Sequence, residues 1–178
     1  MEEKTNYKLY LAKGKNPPQG SIVGDFKKPG DESFVCEIIL NDDEVEKAGC
    51  VDAVTTVFPD KAVIYVTADM LDALQDGSGV EENFELYHEL GHLARGHYDT
   101  GIMDDGGDGA DPERIRREEM EADSFAASVI GSDAAAEALK AMLKIRAQVD
   151  KRLNLNGTEN SVRAIRELRA RIDNVKNP

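Results

Sequence analysis

Two histidines four residues apart, with a glutamate directly after the first, restrict this chain more than any other feature. The run Tyr87-His88-Glu89-Leu90-Gly91-His92 carries the pattern H-E-x-x-H. Residues four apart on an α-helix lie above one another on the same face, so a helix here aims both imidazoles at one point. Two neutral nitrogens at that spacing suit zinc. Glu89 then projects beside the ion, placed as general base for water at an open metal position. At average residue usage, a chain of this length contains the pattern by chance in well under about one case in a hundred. Ser78-Gly79-Val80-Glu81 reads as a capping box that starts the helix, expected over about 80–97. Leu86, Leu90, Leu93 and Ala94 repeat at helical spacing and give it an apolar stripe. That stripe is offset from His88 and His92, so the histidines border a cleft while the leucines anchor the helix.

A catalytic zinc site needs a third protein ligand and one open position. The chain has three histidines, the last being His97. In the metzincin pattern H-E-x-x-H-x-x-G-x-x-H, glycine and histidine would stand where this chain has Arg95 and Tyr98. His97 follows His92 by five residues, about 500° along a helix, which takes it off the ligand face. Its expected role is that of a helix C-terminal residue bonded to a free carbonyl. A carboxylate is the better third ligand, and Glu118-Glu119-Met120-Glu121-Ala122-Asp123 offers several. They lie on a helix expected to open at Asp111-Pro112-Glu113, with Asp as N-cap and Pro in the first turn. Metal-bound histidines usually donate their other ring N–H to a carboxylate. Glu119 with Asp123 four residues later supplies both groups from one face. Glu118 pairs in this way with Ala122 and Glu121 with Phe125, which cannot orient a histidine, so both are read as solvated. The expected zinc ligands are therefore His88, His92 and Glu119, with Glu89 as base and Asp123 orienting a histidine, foremost His88.

H-E-L-G-H followed by E-M-E-A-D resembles the gluzincin signature, H-E-x-x-H with E-x-x-A-D downstream. Asn83 to His92 with Glu119 to Ala127 is similar to the ImmA/IrrE metallopeptidases, whose helices read roughly F-x-x-x-H-E-L-G-H and E-x-E-A-N-x-F-A-A. The short distance from His92 to Glu119 suits that branch. Asp123, Gly96-His97 and the run Ala62 to Thr67 look instead like HtpX-type peptidases and their small soluble relatives. The resemblance spans about 60–127. It lacks the helix-turn-helix segment that often accompanies ImmA/IrrE proteins and the membrane spans of HtpX-type ones. It implies an α+β, zincin-like single domain over 1–178, with a small N-terminal β-sheet packed on an active-site helix. The C-terminal helices, about 133–175, would extend it. In zincins the strand lining the cleft binds an extended peptide by edge pairing, which makes Ala62–Thr67 the expected site of β-augmentation or else an ordinary core strand.

At 178 residues, with 40% hydrophobic and 32% charged, one soluble domain is the expectation. Met1 to Asn6 carries no apolar run of a secretory signal, and no segment approaches the eighteen or so apolar residues of a membrane span. Cys36 and Cys50 form no C-x-x-C pattern and read as reduced thiols of a cytoplasmic protein. A net charge of −13 argues against nucleic acid as a partner. Lys140 to Pro178 carries ten Lys/Arg against four Asp/Glu, a local balance of +6 beside −19 in the rest. That basic tail reads as solvated helix faces, or as a surface for an acidic partner.

Strands are expected at Tyr7–Leu11, Phe34–Leu40, Val51–Val57 and Ala62–Thr67, the last two joined as a hairpin through Phe58-Pro59-Asp60-Lys61. Gly14 to Gly30 reads as loop. Asp69 to Leu74 reads as a short helix. Gly101 to Asp111, with Asp104, Asp105 and Asp108 among glycines, reads as a mobile rim beside the metal. It fails as a calcium loop, because the position needing a bidentate Glu is Ile115. The helix over about 112–130 should bury Ala122, Phe125, Ala126 and Val129. One capped by Ser132-Asp133, running to about Leu153 and stopped by Asn156-Gly157, and one from Thr158 to about Val175 with the stripe Val162, Ile165, Leu168 and Ile172, complete the chain.

The chemistry these residues imply is amide hydrolysis: Glu89 takes a proton from water and delivers it to the leaving amine. Tyr65, Tyr87, Tyr98, Arg114 and Arg117 are candidates to stabilise the oxyanion. The partner is a peptide or protein substrate, with a regulatory protein among the candidates. The alternatives are a non-catalytic zinc-binding regulatory module of the same fold, which would often have lost Glu89, and a hydrolase of non-peptide bonds.

Overall fold

The computed structural model describes residues 8–11, 17–27, 35–48, 52–58, 60–76, 79–97 and 111–177. Ser78, Pro59, Cys50, Tyr98 and the segment 101–110 lie outside them, and with them the capping box, the hairpin tip and the proposed rim. The chain is mixed α+β and divides into two compact units, Met1–Glu82 and Asn83–Pro178. Among the described residues, no helix is long and apolar enough to cross a membrane.

In the first unit, β1 (Lys8–Leu11), β2 (Ile22–Lys27), β3 (Cys36–Leu40), β4 (Ala53–Val57) and β5 (Ala62–Val66) form one sheet of order β1-β2-β3-β5-β4. Pairing is antiparallel except between β3 and β5. Cys36, Ile38 and Leu40 point inward from β3 with the period of two that a half-buried strand requires. Between β3 and β4 lies α1 (Asp42–Lys47), capped by the Asn41 side chain, which accepts from the Glu44 amide. Asp42 in turn accepts from the Ala68 amide at the start of α2 (Ala68–Asp76).

One expectation for this unit fails, and one left open is decided. The stretch 14–30 contains a strand, β2, rather than only loop. Val23 and Phe26 are each 1% exposed, but a register shift between Ile22 and Gly24 breaks the alternation by which a strand is recognised. Of the two readings of the run at 62–67, the ordinary core strand is the one observed. β5 pairs with β3 on one side and β4 on the other, so its backbone has no free ladder for a peptide; among the described residues the outer strands are β1 and β4.

The second unit is helical. It comprises α3 (Val80–Arg95), which starts at the boundary, α4 (Pro112–Ile130), α5 (Ser132–Arg152) and α6 (Glu159–Lys176). Asp111 caps α4 through the Glu113 amide with Pro112 in the first turn, and Thr158 caps α6 through the Ser161 amide. The expected cap of α5 by Ser132-Asp133 does not form: Gly131, at φ +95°, stands at the N-cap, no side chain caps the helix, and Ser132 is already its first residue. Phe84, Ala126, Ala135, Ala138, Leu139, Ile172 and Val175 form its core. The small residues of α4 and α5 let these helices approach closely. The inward faces differ from the expected ones at two places. Val129 and Val162 are 42% and 45% exposed. Ala127 is buried on α4 instead. On α6 the first inward residue is Ser161, whose hydroxyl donates to buried Asp150 of α5 at 2.5 Å. Arg146 Nε donates to the same carboxylate at 3.0 Å, so a polar tie replaces the apolar contact expected there.

Candidate metal centre

All residues that carry the expected metal chemistry belong to the helical unit. His88 and His92 stack on one face of α3, and Glu119 reaches them from the second turn of α4. The His88 and His92 Nε2 atoms stand 3.1 Å apart, 3.6 and 3.4 Å respectively from the Glu119 carboxylate oxygens. Ligands about 2.0–2.1 Å from a tetrahedral zinc stand about 3.3 Å from one another. The three donors therefore already form the base of such a site.

Tertiary packing sets this triangle at Gly91. A Cβ there would meet the Ala122 Cα and carbonyl oxygen at 2.9 Å, and the Phe125 Cβ at 3.1 Å. Only a glycine lets α3 lie this close to α4, with His88 and His92 on one side of the contact and Glu119 one turn before it.

The partners of the outer nitrogens set the tautomer of each ring. His88 Nδ1–H donates to Asp123 Oδ1 at 2.9 Å, which leaves its Nε2 with a lone pair. His97 Nε2–H donates to Glu121 Oε2 at 3.0 Å, so the Nδ1 of a neutral His97 is an acceptor. That acceptor lies 2.9 Å from His92 Nδ1, which in a neutral ring then carries the proton and puts the lone pair on Nε2. With the rings neutral, two Nε2 lone pairs converge on a carboxylate whose Oε2 also meets Arg171. Such a hole is filled by a proton or by a cation, and the donor set fits zinc.

His97 departs from its expected role. The helix ends at Arg95, so an angle counted along a helix does not apply to it. Gly96 takes φ +73° and donates to Leu93 O, while the His97 amide donates to His92 O at 3.0 Å. This is a Schellman turn, and only its backbone satisfies a helix carbonyl. The turn folds the His97 ring back under His92. Glu121, expected to be solvated, is His97's partner, whereas Glu118 pairs with Arg114 at 2.7 Å.

Arg171 of α6 escaped the sequence reading. Its Nε and Nη2 each donate to Asp123 at 2.7 Å, and Nη1 stands 2.8 Å from Glu119 Oε2. One turn on, Asn174 Nδ2 donates to Met120 O and Ser124 Oγ, fixing α6 against α4. Arg171 shares the inward stripe of Leu168 and Val175, and a lone arginine in an apolar stripe was the available signal. Of the oxyanion candidates, Arg114 and Arg117 pair along α4 with Glu118 and Glu121, and Tyr87 packs against the core. Tyr65 lies on β5 in the first unit, and Tyr98 is outside the described residues. Glu89 is half-buried beside His88.

Charges follow from these bonds. Burial works against ionisation of Glu119, but a hydrogen bond from His92 Nε2 when that ring is protonated, together with the charges of a protonated His88 and of Arg171, outweighs it and holds the carboxyl at about 2. Burial likewise opposes the Asp123 charge, yet bonds from His88 and Arg171 keep its pKa below the ordinary value. For His88, burial disfavours the proton, and the Asp123 bond and Glu119 charge overcome it and raise its pKa. The same carboxylates that draw a proton to His88 favour a dication. No family model, curated protein or solved structure gives a significant match to this chain.

Proposed function

We propose that this chain is a zinc-dependent metallopeptidase of gluzincin type, related in design to the ImmA/IrrE and small HtpX-like enzymes. The observation that carries the reading is the convergence of His88 Nε2, His92 Nε2 and Glu119 within 3.1–3.6 Å, with Glu89 next to His88 on the same helix. In this reading His88, His92 and Glu119 hold the metal. Zinc bound there supplies Lewis acidity toward the scissile carbonyl and lowers the pKa of water to about 7. Glu89 accepts the proton of the attacking water and delivers it to the leaving amine. Asp123 and His97 keep His88 and His92 in the tautomer that presents Nε2. Arg171 balances the Glu119 and Asp123 charges. The substrate is a peptide or protein, and the acidic chain disfavours nucleic acid as a ligand. A cytoplasmic location belongs to the same reading and rests on Cys36, a buried free thiol.

Elemental analysis of the purified protein tests the metal, with Glu119→Ala and Glu121→Ala alongside. The reading expects about one zinc per chain in the wild type and in Glu121→Ala, with loss in Glu119→Ala. A wild type that holds no zinc after reconstitution overturns it. Peptide cleavage abolished in zinc-loaded Glu89→Gln supports catalysis. Zinc binding without cleavage of any peptide by the wild type points instead to a regulatory zinc module.

A further inference from the structure

Beside the metal cluster, α4, α5 and α6 enclose a cavity of about 290 Å³. Glu119 and Arg171 belong both to its wall and to the cluster, so the two are one side chain apart. In a chain of net charge −13, this wall carries four arginines, Arg116, Arg146, Arg163 and Arg171, against Glu119 and Glu167. Their commitments differ. Arg171 is held by Asp123 and Glu119, and Arg146 by buried Asp150 at 3.0 Å. Among the described residues Arg163 pairs with Glu167 alone, and both side chains are exposed, a pairing of little strength in water. Arg116 has no ion-pair partner among the described residues. Two guanidinium groups, one from α4 and one from α6, are thus available to an incoming anion. Between them the wall is apolar, with Ile115, Met120 and Leu168.

We propose that this cavity is a subsite for a carboxylate of the peptide substrate, taken by Arg116 and Arg163 while its methylenes lie on Ile115 and Leu168. Guanidinium forks match carboxylates in two-point geometry, and the apolar wall suits the stem of a glutamate or the last residue of a chain. The volume suits a single residue rather than a folded partner. Seated there, that residue stands next to Glu119 and hence beside the bond presented to the metal. The substrate role rests on the peptidase reading; the carboxylate preference of the cavity does not.

The test is binding of three small probes to the protein as purified, followed by amide chemical shifts. N-acetyl-glutamate α-amide offers a side-chain carboxylate, N-acetyl-glutamine a terminal one, and N-acetyl-glutamine α-amide neither. One carboxylate probe should bind about tenfold or more tighter than the neutral probe, with shifts on α4 and α6. Which one does so identifies the side chain or the terminus as the group recognised. Arg116→Gln and Arg163→Gln should each weaken that probe several-fold, and together remove the preference. Both positions border solvent, and circular dichroism verifies the helices. Equal binding of all three probes overturns the proposal. So does a preference that survives the double variant, which would mean the carboxylate sits on the metal instead. Absence of zinc or of cleavage would defeat the peptidase reading without altering either result.

Discussion

Replacing Arg171 by methionine keeps the length of the side chain and removes the cation that bonds both Asp123 and Glu119. Asp123 is 0% exposed and would retain one donor, the His88 N–H. Removing one partner of a buried ion pair costs about 3–5 kcal/mol, because the remaining charge is left without compensation. At about 2–4 °C per kcal/mol for a chain of this size, the melting temperature of the metal-free protein should fall by about 6–20 °C. Zinc on His88, His92 and Glu119 restores positive charge beside the same carboxylates, so the zinc-loaded variant should lose less. The assay is thermal unfolding of wild type and Arg171→Met, each with chelator and with zinc. Zinc should raise the melting temperature more in the variant than in the wild type. Arg171→Met combined with Asp123→Asn should recover part of the loss, since neither buried charge then remains. A loss below about 1 kcal/mol, the scale of an exposed pair, refutes the reasoning. An equal loss with and without zinc refutes it as well.

His97→Gln or Gly96→Ala should weaken zinc binding by about 10–100-fold, as loss of a histidine's outer partner typically does, measured by competition with a chromogenic chelator. Unchanged affinity in both would mean that the Glu121–His97–His92 chain does not orient the ligand. Gly91→Ala should force α3 and α4 apart at a cost of about 1–3 kcal/mol, partly offset by the better helix propensity of alanine. Zinc affinity should fall with it, and an unaltered affinity would show that the ligand triangle is not set by that contact. Burial, then the neighbouring Glu37 and Asp25, pushes the Cys36 thiol up to about 12. In the native protein Cys36 should therefore resist thiol reagents near pH 8 and react only on unfolding, read separately from Cys50 by peptide mapping of the labelled chain. Because a raised thiol pKa favours the folded state only while the unfolded thiol is also protonated, stability should decline as pH rises above about 9. That decline should be shallower in Cys36→Ala.

The elements of this chain were largely legible because their signals are local. The cap at Asp111, the helical stripes and the β-branched runs each act within a few residues, and α2 to α6 and β3 to β5 fall close to where those signals place them. The His88/His92 spacing belongs to the same class, since one turn of helix brings the two nitrogens together whatever surrounds them. Strand β2 was hidden because its bulge interrupts the one periodicity by which a strand is read. The exposed faces at Val129 and Val162 were misjudged because a helix with apolar residues on several sides does not state which side its neighbour will cover.

What the sequence determined by itself was chemistry over short range: two imidazoles and a carboxylate on one helix, and a Glu–Asp pair one turn apart on another. Only the tertiary structure decided how those pieces meet. The Gly91–Ala122 contact brings Glu119 within 3.4–3.6 Å of both imidazoles, and the turn at Gly96 carries His97 beneath His92. Arg171 reaches Asp123 from 48 residues along the chain. The insertion of β5 between β3 and β4 is of the same kind. The physical reason is that propensity and periodicity act over one or two turns, whereas charge compensation and close packing depend on which distant surfaces exclude water from one another.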